Sequence, residues 1–338
     1  MNANQAAKNA LQCVLEAKKD ESIVIFCDDE KAEIGEAFEK GAQTLQLNTK
    51  LVVLKTEPHV FRKEIPSQFQ KYLTTQRPDM YVNLFRGTRE ETPFRIKFIH
   101  METQDHKTRL GHCPGVTVDM LTQGALALTV REHRQMQKFA DALMEKLKTA
   151  VKLEIQNPSG TKISLNVEDR TFFTDTKLDW KLMKWMNFPT GEVLVAPVEN
   201  SLEGKLVCDM AIGGIGPLST PVEVTAKNGA VQNVTSANAD VLKKVQNTLE
   251  TDAMAKVVGE FAFGINPKAR FVEEFLECEK IHGTAHIAFG DNTDFPGGKN
   301  NSANHMDFMI SKPTVKALTS KNETFTVVVD GVFQDLES

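Results

Sequence analysis

Short apolar runs alternate with amphipathic stretches along the first part of the chain. "SIVIF" (22–26), "KLVVLK" (50–55) and "MYVNLF" (80–85) are runs of mostly apolar residues, while "EIGEAFEKGAQTL" (33–45) and "PSQFQKYLTTQ" (66–76) carry apolar residues at helical spacing. A strand buried on both faces shows no polar alternation, and the helices that bury it supply the crossovers of a parallel sheet. The pattern predicts a small α/β domain with a parallel sheet over residues 1–150. It closes on a helix at 131–150, where Met136, Phe139, Ala140, Leu143 and Leu147 form one apolar stripe for the core.

After residue 150 the texture changes. "VKLEIQNPSGTKISLNV" (151–167) reads as a hairpin around the turn Asn157-Pro158-Ser159-Gly160. Strand patterns follow at "EVLVAP", "KLVCDMAI", "PVEVTA", "TAHIAFG", "HMDFMI" and "TFTVVVDG", with a helix at about 239–250. Residues 151–338 therefore read as a β-rich α+β domain. A chain of 338 residues has room for two such cores.

Composition narrows the function classes. With 41% hydrophobic and 25% charged residues the chain is that of a folded globular protein. A net charge of -5 argues against nucleic acid as a partner, because such proteins display a basic face. Cys13, Cys27, Cys113, Cys208 and Cys278 are scattered without a CxxC pair, which fits a reducing compartment, the cytoplasm. No run reaches the ~20 apolar residues of a membrane helix, and the first residues lack a signal-peptide core, so neither membrane nor export is expected.

Four segments of the second domain carry polar residues inside strand patterns: Glu192 in "NFPTGEVLVAP", Glu260 in "VVGEFAFGINPKAR", His286 in "EKIHGTAHIAFGDN", and His305 with Asp307 in "NHMDFMI". Residues i and i+2 of a strand share a face about 6.5–7 Å apart, so His305 and Asp307 can reach one ion or two neighbouring ions. Taken singly, each is as well explained as a hydrogen-bonded core residue or a turn cap. Together they are harder to bury unpaired, at several kcal/mol apiece, and a cation relieves that cost. A set of carboxylates and imidazoles without thiolates suits zinc, cobalt, manganese or magnesium.

"PTGEV", "GEFAFGINP", "GTAHIAFGDN" and "GGKNNSANHMDF", in this order and preceded by "PGVTVDMLTQGAL" (114–126), resemble the thermophilic aminopeptidase T metallopeptidases, family M29. The likeness runs over roughly residues 110–335. It implies a two-domain homodimer with divalent ions in the C-terminal domain, releasing leucine or similar N-terminal residues from a peptide or small-molecule substrate. By that resemblance Glu192, Glu260, His286, His305 and Asp307 are metal ligands, with Glu260 bridging; the general base is left open between a metal-bound hydroxide and a carboxylate such as Glu192. Thr293, Asn300 and Ser302, with Lys299 and Asn301, are expected to shape the loop beside the site, hydrogen-bonding the ligands or facing the substrate.

The resemblance is incomplete. The peptidases carry a tyrosine seven residues after the first histidine, where this chain has Thr293. The 2,5-dihydroxypyridine dioxygenases are similar to the same motifs but place a histidine at the position of Glu260, giving an iron site. An iron oxygenase and a metal-binding homologue without peptidase activity therefore stand as alternatives. Three further features have plainer readings: "GGIGP" (213–217) as a turn, Asp28, Asp29 and Glu30 as acidic residues at a helix start, and Trp180, Met183, Trp185 and Met186 as core.

Overall fold

The computed structural model describes residues 1–104, 108–179 and 185–336. The apolar runs of the first part form a parallel sheet, with Asn48–Leu54, Ser22–Asp28, Met80–Leu84, Arg109–His112 and Trp185–Asn187 side by side in that order. Successive side chains point to opposite faces. Ile23, Ile25 and Cys27 join the cluster under helices Ala3–Cys13 and Ala32–Thr44, while Val24 and Phe26 join the one under Ser67–Thr74 and Thr92–Thr103. Both faces are covered, which is why "SIVIF" shows no alternation.

The chain divides into two compact units, residues 1–135 with 175–190, and residues 136–174 with 191–338. The parallel sheet thus takes its fifth strand from 185–187, past the expected boundary at 150, and three residues are too few for their pattern to announce it. Met186 lies in the core and Trp185 meets His112 edge to face at 6.0 Å; Trp180 and Met183 lie outside the described residues.

In the second unit Ala150–Gln156 and Lys162–Asn166 form the expected hairpin within an antiparallel-paired sheet of eight strands. The candidate site belongs to a sheet of seven, in the order Gly216–Pro217, Ala211–Ile212, His305–Ile310, Ala285–Gly290, Val258–Gly264, Glu192–Val195 and Phe173–Thr174. The stripe helix is Val130–Leu147, with Met136, Phe139, Ala140, Leu143 and Leu147 all buried. Among the described residues no helix is long and apolar enough to cross a membrane.

Candidate metal centre

Strand register brings the five polar residues to one face of the seven-stranded sheet. Directly paired residues of antiparallel neighbours share a face. Glu192 pairs with Gly264, His286 with Ala262, and His305 with Gly290, while Ala288 stands between Glu260 and Asp307. Every long polar side chain therefore has an alanine or glycine on at least one flank, with Met309 on the other side of His286, and these small neighbours leave a hollow above the sheet. The opposite face is filled by Val193, Val195, Phe261, Phe263, Ile287, Phe289 and Phe308, all buried. That apolar layer anchors the register, since a one-residue slip would turn the charges into it.

At the centre of the hollow lies His286 Nε2, 3.4 Å from Glu192 Oε1, 3.4 Å from Glu260 Oε1 and 3.9 Å from Asp307 Oδ1. One ring nitrogen has a single proton to offer, so three carboxylates around it are more than a hydrogen bond requires. His305 Nε2 stands 3.1 Å from Glu260 Oε2 and 3.4 Å from Asp307 Oδ1. Ligands bound at about 2.0–2.2 Å around one ion lie roughly 2.8–3.6 Å apart, from octahedral to tetrahedral geometry, so this spacing fits a common cation. The other nitrogen, His305 Nδ1, meets the backbone carbonyl of Asp291 at 2.7 Å, which directs Nε2 inward.

The structure adds two residues that the sequence pattern did not flag. Glu279 and Lys280 follow the short helix Phe275–Cys278 and are buried, with Lys280 only 1% exposed. Lys280 Nζ is 2.8 Å from Glu279 Oε1 and also bonds Glu192 Oε2. Among the described residues two sets of ligand atoms are compact enough to hold an ion, Glu192 with Glu279 and His286, and Glu260 with His286 and Asp307. In sequence, "ECEK" is indistinguishable from a solvated helix end.

Electrostatics agree with a cation-binding hollow. Burial opposes charge on His286, but Glu260, Glu192 and Asp307 outweigh it and raise its pKa to about 10. Burial likewise opposes charge on His305, and Asp307 with Glu260 carries its pKa well above the ordinary value. For Glu260 burial is overcome by the two imidazoles, which hold it well below the usual carboxylate range. Glu279 is raised by burial, with Lys280 pulling the other way and Asp307 adding to the rise. Carboxylates in excess draw protons onto both imidazoles, and a divalent ion supplies the same positive charge. The donor set therefore fits such an ion.

The remaining candidates shape the loop that ends in His305. Asn300 is buried and donates to the carbonyls of Gly290 at 2.6 Å and Met254 at 3.1 Å. Ser302 bonds both oxygens of Asp252 at 3.0 and 2.9 Å, and its N–H reaches Asp291 Oδ1 at 3.2 Å. The Thr293 hydroxyl is held by the Asp291 carboxylate at 3.1–3.2 Å. Asp291 thus gathers Thr293, Ser302 and, through its carbonyl, His305. The "GGIGP" segment is a turn over 213–215 that leads into the strand Gly216–Pro217, and Gly213 donates its N–H to the Asp307 carbonyl at 2.9 Å.

Comparison with known proteins bears on the family and the fold. The sequence model of the Peptidase_M29 family, thermophilic metalloproteases, matches residues 127–333. A solved 2,5-dihydroxypyridine dioxygenase from Pseudomonas putida superposes with a TM-score of 0.72 at 16% identity, covering 99% of this chain and 97% of that one. AmpT from Thermus thermophilus superposes with a TM-score of 0.69 at 16% identity, covering 98% of each chain. At such identity both likenesses show the fold. No curated protein matches the sequence.

Proposed function

Because the chain belongs to the M29 family of thermophilic metalloproteases, we propose that it is a metal-dependent aminopeptidase, removing N-terminal residues from peptides with one or two divalent ions. The observation that carries this reading is the convergence of Glu192, Glu260, His286, His305 and Asp307 on one face of one sheet. A bound divalent ion supplies Lewis-acid polarisation of a carbonyl and lowers the pKa of water.

The chain's own groups divide the remaining work. Glu260, facing both imidazoles, and Asp307 are the anionic ligands nearest His305. Asp307 and His305 are 13% and 34% exposed against 5% for Glu260, so substrate approaches from their side, and Asp307 meets its terminal amine. Glu192, steadied by Lys280, is the base that takes a proton from the attacking water and passes it to the leaving amine. Thr293 replaces the family tyrosine, so no phenol assists there.

Protein reloaded with zinc or cobalt should release leucine or similar residues from amino-acid amides and short peptides, and a chelator should abolish the activity. Inertness of the loaded protein across a broad panel of such substrates sinks the peptidase reading. A second reading is favoured by one observation: the Asp307 carboxylate lies 3.9 Å from His286 Nε2 and 3.4 Å from His305 Nε2, so two histidines flank one carboxylate. Such a set suits iron(II) and oxygen. Oxygen uptake by the iron-loaded protein with a dihydroxylated pyridine, alongside inertness to amides, would select it.

A further inference from the structure

The two candidate ion positions are not equivalent, and the difference is Lys280. Its ammonium lies between Glu192 and Glu279, two of the three members of the first ligand set. The second set, Glu260 with His286 and Asp307, is faced instead by the imidazole of His305. We infer that the Lys280 ammonium is a built-in cation standing where a second metal ion would sit, so that the centre takes one divalent ion, at Glu260, His305, Asp307 and His286. The inference rests on the metal-centre reading of the cluster and not on the reaction it performs.

Three considerations support it. A divalent ion among Glu192, Glu279 and His286 would share carboxylates with the ammonium, at a separation where two cations repel each other strongly in a buried site. Lys280 has no easy way to withdraw. Its residue is 1% exposed, its carbonyl accepts from Asn266 N at 2.8 Å, and its N–H donates to Glu277 O at 3.2 Å. Swinging the ammonium aside would strand a buried charge away from its partners. Charge balance permits a single ion as well: four carboxylates facing Lys280 and one divalent ion leave only one excess negative charge.

The test is the number of ions held. Chelator-stripped protein is reloaded with zinc, dialysed, and its metal counted per chain by elemental analysis. Wild type should hold one ion, and Lys280→Met, which keeps the stem and removes the charge, should hold two. Glu279→Gln should keep the single ion and Glu260→Gln should lose it, which locates the ion even if Lys280→Met does not fold. Two ions in wild type, one in folded Lys280→Met, or loss of the ion in Glu279→Gln overturns the inference. No ion at all in wild type would end the metal-centre reading, and this inference with it. One ion in a chain inert to every peptide would end only the peptidase reading.

Discussion

Asp307 is held from two sides, by the sheet and by Gly213. A methyl group on Gly213 would lie 3.1 Å from Asp307 Oδ2 and 3.2 Å from Asp307 N, so the carboxylate has its present position because that residue has no side chain. Gly213→Ala should displace it by a few tenths of an ångström and weaken zinc binding about tenfold, the scale on which groups supporting a ligand act. Competition with a chromophoric chelator measures this, and an unchanged affinity would show that Gly213 does not fix the Asp307 carboxylate. The imidazoles predict a pH dependence. Both hold protons far above their ordinary range without metal, His286 up to about 10, so an ion must displace them. Zinc affinity should therefore rise with pH toward about 10, and a flat profile would remove the two histidines from the ligand set.

At the level of elements, the loop preceding His305 is fastened by one ion pair. Arg170 Nη2 is 2.6 Å from Glu199 Oε2, Arg170 also bonds the Gly297 carbonyl, and Glu199 Oε1 accepts from Lys299 N at 2.8 Å. Glu199→Gln should speed amide hydrogen exchange in residues 291–304 and weaken metal binding, because the Asp291 carbonyl that orients His305 lies in that loop. Faster exchange without weaker binding would show that the loop does not position the ligand. The parallel sheet has its own polar knot. Asp28, expected as an acidic residue at a helix start, is buried and accepts from Arg62 and from the Arg86 N–H, because the loop holding Arg62 folds back over the strand end. Glu91 binds the same two arginines. Burial opposes its charge, but Arg62 and Arg86 prevail and lower its pKa from 4.5 to about 2. A carboxyl with a depressed folded pKa stabilises fully above its unfolded value and loses that contribution as pH falls. Urea unfolding of wild type should weaken between pH 4.5 and 2, and Glu91→Gln should lose about 3 kcal/mol at neutral pH and that part of the acid slope.

For the whole molecule, an ion that binds the folded chain stabilises it by mass action, about 2.7 kcal/mol at a hundredfold excess over Kd. Calorimetry with and without zinc should move the transition of the unit that carries the cluster, and Glu260→Gln should remove the shift. Much of this organisation is written locally. The apolar runs of "SIVIF" and "MYVNLF" determine strands buried on both faces, and the stripe from Met136 to Leu147 determines a helix, because period and burial are properties of a short segment. The strand motifs likewise determine which side chains share a face with His286 or with His305. What the sequence could not decide is whatever depends on which strand lies beside which. A bulge between Val258 and Glu260 shifts the pairing, so that Val258 meets Phe289 while Glu260 meets Ala288 on the polar face. Glu279 and Lys280, with the charges of an ordinary helix end, enter the centre only because the chain folds them under Glu192. Burial of a charge is set by neighbours distant along the chain, and only the tertiary structure supplies them.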